Sequence, residues 1–252
     1  MHAIAMYAPE HFPDVRPRVD LPALIIDVLR DSSLFPQDGD ILVVAQKVVS
    51  KAEGRIVDLR EVVPSPRALA LAAEAERDPR LVEVILREAR TILRVRPGLI
   101  IAEHRLGFIC ANAGVDHSNI GLGEDVVTLL PSDPDASARS IKQAVDSAFR
   151  THVAVIINDS HGRPFREGAV GVCIGVAGIE PLRSYVGKVD RYGYVLRTSV
   201  EAIADEVASA ATLLMGQADE GRPLVLIRGV TFARGEGSAR ALLRDPSRDL
   251  FR

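Results

Sequence analysis

An apolar run over residues 153–157 leads straight into Asn158, Asp159, Ser160, His161, Gly162 and Arg163. A buried strand that delivers a carboxylate, a hydroxyl and then a Gly-Arg turn at its tip has the layout of a metal and phosphate site, because hard cations take oxygen donors. The same residues also suit an ordinary turn, since short polar side chains bond their own backbone and glycine tolerates positive φ. Asn158-Asp159-Ser160 further fits the N-x-S glycosylation pattern, a reading that requires a secretory context.

Three other clusters could carry chemistry. In VVAQKVVSKAEG, Gln46, Lys47, Ser50 and Lys51 follow an apolar run, and a lysine there can reach phosphate oxygens as a point charge. The plain alternative is a solvated hairpin lysine, and no GxxxxGK[ST] loop is present. In NAGVDHSNIG, Asp116 can ligate Mg2+ or Mn2+ and Asn119 can read a base or ribose; an Asx turn with His117 on the surface is the alternative. In MGQADEGRP, Gln217, Asp219 and Glu220 form either an active-site loop or a polar helix exit. A serine beside an aspartate lacks the base and orienting group of a triad, so Ser160 reads better as a metal-ligating hydroxyl. No two histidines stand at i, i+4 on a helix, which disfavours zinc. Glu201 and Asp205, with Glu206 adjacent, lie at i, i+4 on a predicted long helix and read as a solvated acidic face.

The elements that must position these residues alternate without repeat or long linker. Asp20 before Leu24, Ile25, Val28 and Leu29 predicts a capped helix. Residues 39–57 predict a strand, a working loop and a return strand. Ser65-Pro66 and Asp78-Pro79 predict helices over 66–76 and 79–94, each with a capping side chain before proline. GLIIAEHRLGFICANAG predicts two strands around a His104-Arg105 turn, and Asp133-Pro134 opens a helix through Phe149. VGVCIGVAGI and PLVLIRGVTF read as strands flanking a helix whose face runs Val200, Ile203, Val207, Ala211 and Leu214. The Arg-rich tail predicts a short helix with loose ends. Without a regular βαβ rhythm, the fold class is α+β (mixed α/β).

With 252 residues, 47% of them hydrophobic, the chain can bury a substantial core as one domain or two small lobes. A net charge of −3, no Lys/Arg block and no Trp argue against a nucleic-acid surface. No run approaches about 18 apolar residues, so no membrane span is expected. The N-terminus lacks a signal-peptide pattern, which predicts a cytoplasmic protein. Cys110 and Cys173 sit in apolar surroundings and are expected to act as small hydrophobes, with no disulfide.

Taken in order, GDILVVAQKVVSKAEGRIV, NAGVDHSN, LLPSDPDASA, VAVIINDSHGRPFREGAVGVCIGVAGI, VEAIADEVASAATLLMGQADEG and VLIRGV closely resemble the coenzyme F420-0:L-glutamate ligase family. The resemblance runs from Phe12 to the GEGSAR tail. It implies a GTP-dependent ligase that adds L-glutamate to the carboxylate of F420-0 or F420-1 through an acyl phosphate. It also implies two divalent cations, Mg2+ or Mn2+, with K+ a further candidate. The implied fold is an unusual two-lobed unit spanning 1–252, paired as an intertwined homodimer and lacking a nitroreductase-like extension.

Carried across by motif, Asp116 and Asp159 hold the first metal, and Ser160 and Gln217 the second. Phe12, Pro13, Asp14, Val15, Gln46, Lys47, Lys51 and Asn119 contact the nucleotide, with Gln217 alongside. Lys51, Asp159 and Arg163 are the catalytic candidates, and Arg166 assists with charge on the transferring phosphoryl group. Three other readings stand beside this one. They are a paralogue acting on a pterin or folate-like acceptor, a nucleotide-binding protein without turnover, and a metal-dependent phosphohydrolase.

Overall fold

The computed structural model describes residues 2–250. In chain order the first half runs β1 (Ala5–Tyr7), α1 (Leu21–Asp31), β2 (Ile41–Ala45), α2 (Gln46–Ala52), β3 (Ile56–Asp58), α3 (Pro66–Ala75), α4 (Pro79–Glu88), β4 (Ala89–Arg96), β5 (Leu99–His104), β6 (Ile109–Ala111) and β7 (Val126–Thr128). The second half runs α5 (Pro134–Phe149), β8 (Ala154–Arg163), β9 (Arg166–Ala177), β10 (Arg183–Ser184), β11 (Val200–Glu201), α6 (Ile203–Met215) and β12 (Leu224–Arg228). Helices and several sheets are mixed, as the α+β reading predicts.

The main sheet has the order β1-β12-β2-β8-β9. All its pairs are antiparallel except β2 with β8, which run parallel with Ile41 opposite Ala154 and Ala45 opposite Asn158. Strand β2 and the first four residues of β8 are apolar, as expected of strands covered on both faces, and β8 turns polar from Asn158. Helix α6 comes so close to β9 that a Cβ on Gly171 would lie 2.5 Å from the Ala208 carbonyl oxygen. Pro134, at the start of α5, approaches Gly175 equally closely. Smaller sheets pair β3 with β7, β10 with β11, and β4-β5-β6 in order.

Two separate clusters of apolar side chains are buried. One surrounds the main sheet and includes Ile25, Leu42, Val44, Ile141, Ile156, Ile157, Ala208 and Leu226. The other lies among α3, α4, β5 and β7, with Ala72, Val82, Ile85, Ile100, Ala102 and Val127 at its centre.

The predicted helix starts are where the caps place them. Asp20, Ser65, Asp78 and Asp133 each accept a backbone N–H from the first turn of α1, α3, α4 and α5. Four sequence expectations need correction. The helix predicted over 79–94 stops at Glu88, because ARTILRVR extends along β5 and finds hydrogen-bond partners there. The working loop after β2 is helix α2, and the return strand β3 joins β7 rather than folding back on β2. Asn158 to His161 are not a turn, since β9 pairs with them residue by residue and the chain reverses only at Pro164 and Phe165. Glu201 lies in β11, outside the helix, where its carboxylate takes Arg183 at 3.0 Å. Strands β1, β7, β10 and β11, of two or three residues, were not foreseen.

Both cysteines are free and buried. Burial, with the nearby Asp159 charge adding to it, pushes the Cys110 thiol up to about 12, and Cys173 is raised as well, so neither is a ready nucleophile. Among the described residues no helix is long and apolar enough to cross a membrane.

A charge cluster around the buried Glu88 and His104, with the partly exposed Arg55 and the exposed Arg105, ties the second core to the rest. Glu88 Oε2 accepts from Arg55 at 2.7 Å, Arg105 at 3.1 Å and His104 Nε2 at 3.2 Å. His104 Nδ1 accepts from the Leu106 N–H at 3.0 Å, which places the ring proton on Nε2. Arg55 also donates to the Leu130 carbonyl in the first core. Burial raises the Glu88 carboxyl, but the hydrogen bond from His104 and the charges of Arg55 and Arg105 outweigh it, taking it from an ordinary 4.5 to about 2. A carboxylate so depressed stabilises the fold above its unfolded pKa, and that contribution is lost as pH falls from about 4.5 toward about 2. Glu88→Gln is expected to lower stability near neutral pH by about 3 kcal/mol, as when one partner leaves a buried charge cluster. It should also flatten the acid limb in denaturant titrations; an unchanged acid limb would assign that lability to other groups.

Candidate active site

The parallel pair β2 and β8 ends in a cavity of about 370 Å³. That is the scale of a small-ligand pocket, about 300–1,000 Å³, and the carboxyl ends of parallel strands are where open mixed sheets bind ligands. From the end of β2 and the first turns of α2 come Gln46, Lys47 and Lys51; from β8 come Asn158, Asp159 and Ser160. The loop carrying Asp116 and Asn119, the segment Phe12, Pro13, Asp14 and Val15, and the exit of α6 with Gln217 complete the wall. Every predicted metal and nucleotide residue therefore lines one cavity. Arg163 does not, and its Nη2 braces the β8–β9 hairpin by donating to the Glu167 carbonyl at 2.8 Å.

Local contacts fix these side chains. Asp116 makes the Asx turn that its sequence allows, Oδ1 accepting from the Ser118 N–H at 2.9 Å. Its Oδ2 accepts from Ser118 Oγ at 2.8 Å and from Lys47 Nζ at 2.5 Å. Lys47 Nζ also donates to the Ser118 carbonyl at 2.7 Å, so the turn and the cavity role coexist in one residue. Burial raises the Asp116 carboxyl, yet hydrogen bonds from Lys47 and the Ser118 N–H, with the lysine charge, hold it below the usual carboxylate range. Gln46 is buried, its Oε1 accepting from Ser50 Oγ at 2.8 Å one turn on. Asn119 Nδ2 donates to the Ala218 carbonyl at 3.0 Å and joins two walls of the cavity.

On β8, Asp159 Oδ2 lies 2.9 Å from His161 Nε2, whose ring stands edge-on to Phe108. Ser160 faces the other way, its Oγ accepting from Gln217 Nε2 at 2.9 Å. Gly216 ends α6 at φ +71, and a Cβ there would collide with the Glu220 carboxylate. That close approach lets Glu220 accept from the Ala218 N–H at 2.9 Å and shape the loop that holds Gln217. Asp205 is not part of a solvated face, because it is largely buried and accepts from the Cys173 N–H at 2.9 Å. It locks α6 onto β9.

The F420-0:Gamma-glutamyl ligase family profile matches residues 10–229, a span that includes every strand and helix lining the cavity. The chain belongs to this family. Among relatives, the "Coenzyme F420:L-glutamate ligase" of Methanothermobacter thermautotrophicus is 48% identical over 99% of this chain and 99% of its own. That of Methanopyrus kandleri is 50% identical over 94% of this chain and 93% of its own, and that of Methanocaldococcus jannaschii 47% over 86% of each.

For a γ-glutamyl ligase of this family, the donor set decides what the cavity can hold. Two carboxylates, a serine hydroxyl and amide oxygens are hard donors suited to Mg2+ or Mn2+. Among the described residues no three His, Cys, Asp or Glu side chains group as a metal site, so any cation here must complete its shell with neutral oxygens and ligand atoms. The residues fit such cations. Asn158, which opens the polar run, was given no site role from the sequence, yet it is a wall residue, buried and, among the described residues, with its Oδ1 unbonded. Its position beside Asp159 was the only available signal, since the partners that orient it lie on α6.

Lys47 holds the Asp116 carboxylate low, so Lys47→Met is expected to raise the Asp116 pKa, burial then acting with only the Ser118 contacts against it. Carboxyl-carbon NMR titration reads this directly. A variant titrating like wild type would show that the Ser118 contacts alone hold the carboxylate low.

Proposed function

We propose that this protein is a GTP-dependent ligase that joins L-glutamate to the carboxylate of an F420-0-type acceptor through an acyl phosphate. The observation that carries the proposal is the convergence of Asp116, Asp159, Ser160 and Gln217 with Lys47 and Lys51 on one cavity of a γ-glutamyl ligase family chain. The relatives above are named as ligases of coenzyme F420 and L-glutamate, which supports the acceptor and the amino acid of this reading. In the same reading the chain is a cytoplasmic, two-lobed unit that pairs as an intertwined homodimer. The two separate cores and the exposed Val186, Val189, Tyr192 and Tyr194 support that assembly.

The chemistry follows from what amide formation requires. A carboxylate resists attack by an amine, so its oxygen first takes the γ-phosphoryl group and GDP leaves. The glutamate amine then attacks the acyl carbon, the C–N bond forms, and phosphate departs with the C–O electrons. Asp116 with Asp159, and Ser160 with Gln217, are the residues that would hold two divalent cations, which supply charge neutralisation at the phosphate oxygens. Lys51 lines the cavity and, among the described residues, its ammonium makes no ion pair, so it can take a phosphate oxygen without breaking a contact. Lys47 gives up Asp116 to do so. Phe12, Pro13, Asp14 and Val15 close one side of the nucleotide's space, and Asn119 bridges to the opposite loop.

Purified protein given GTP, L-glutamate and F420-0 at limiting Mn2+ is expected to release phosphate only with both co-substrates present, and to add glutamate by mass. Asp159→Asn should reduce that rate by about 100-fold or more, the usual loss when a charge-stabilising group is removed. Full activity in Asp159→Asn overturns the metal assignment. Phosphate release indifferent to glutamate and acceptor overturns the ligase in favour of a phosphohydrolase.

A further inference from the structure

Asn158 carries a buried oxygen with nothing to bond. The residue is 5% exposed, and among the described residues its Oδ1 meets no hydrogen-bond donor. Its Nδ2 donates to Thr212 Oγ1 at 3.2 Å and lies 3.4 Å from Met215 Sδ. The amide cannot profitably turn over. Thr212 Oγ1 gives its hydrogen to the Ala208 carbonyl at 3.1 Å, and a thioether only accepts, so a reversed amide would face two acceptors. An unpaired buried acceptor of this kind costs about 1–3 kcal/mol. A ligand that brings positive charge to Oδ1 removes that cost.

The location says which ligand. Side chains alternate along a strand, so Asn158 and Ser160 share one face of β8 while Asp159 and His161 share the other. The contacts agree: Asn158 meets α6, Ser160 meets Gln217 just beyond α6, and Asp159 meets His161. Asn158, Ser160 and Gln217 all line the cavity. We propose that Asn158 Oδ1 is a third protein ligand of the second cation, beside Ser160 and Gln217, an inference that rests on the two-cation reading above. Amide carbonyl oxygens are ordinary ligands of hard cations. All three side chains are neutral, so the negative charge this cation needs comes from phosphate oxygens, and the site fills only together with a nucleoside phosphate.

The test is Mn2+ binding to the whole protein, read by equilibrium dialysis and electron paramagnetic resonance with a saturating non-hydrolysable GTP analogue. Wild type is expected to bind two Mn2+ per chain, and Asn158→Leu to weaken the second at least about 10-fold while leaving the first unchanged. Asn158→Asp should restore the second site and let it bind Mn2+ without nucleotide. The metal-free Asn158→Leu protein should melt no lower than wild type, because leucine removes an unpaired buried acceptor. If it melts lower, Asn158→Asp decides alone. A second Mn2+ bound with wild-type affinity in Asn158→Leu, or unchanged nucleotide dependence in Asn158→Asp, overturns the assignment. Wild type binding fewer than two Mn2+ overturns the two-cation reading, and the assignment with it.

Discussion

The site depends on one register: β2 and β8 run parallel with Ala45 opposite Asn158. Each strand is apolar up to that level because both faces are covered, and each turns polar just beyond it. Gln46 and Lys47 therefore emerge beside Asn158, Asp159 and Ser160, although more than a hundred residues separate them in sequence. A slip of one residue would exchange the two faces of β8 and turn Asp159 toward α6. The close approaches at Gly171 and Gly175 resist such a slip, because any other side chain at either position meets backbone. Asp205 adds a lock by bonding the Cys173 N–H, on the residue opposite Asn158.

What could be read from the sequence follows how local its cause is. The starts of α1, α3, α4 and α5 were legible because a capping side chain and the N–H it accepts lie two or three residues apart. The helix at 46–52 was not, since Val48 and Val49 favour strand while the Gln46 and Ser50 contact that suits a helix appears only in three dimensions. Residues 89–96 turned from helix to strand for the same reason, as their partner β5 is a tertiary fact. At 158–161 polar residues that suit a turn remain in a strand because β9 offers every one of them a partner.

The site was legible as an ordered set of motifs and illegible as geometry. Six segments in order identified the family and hold eight of the predicted residues that share the cavity, and the Phe12–Val15 turn carried across with them supplies four more. No motif could show that Arg163 braces a hairpin, or that Lys47 sits on Asp116. The unbonded Oδ1 of Asn158 was still less visible, because it depends on which way the hydroxyl of Thr212 points, and that is set by the carbonyl of Ala208 within α6.

The cavity's charges give the proposed chemistry its order. Five carboxylates, Asp14, Asp116, Asp159, Asp219 and Glu220, face three cationic side chains, Lys47, Lys51 and Arg222. Lys47 neutralises Asp116, and backbone N–H groups hold Glu220 below the usual carboxylate range. Among the described residues, only the imidazole of His161 stands in ion-pair range of Asp159. A triphosphate entering alone would meet a net negative wall, whereas a divalent cation would meet its best partner at Asp159. Phosphates then gain by following the cation or arriving with it: their oxygens would take the ammonium of Lys51, while a cation would take the oxygens of Ser160 and Gln217.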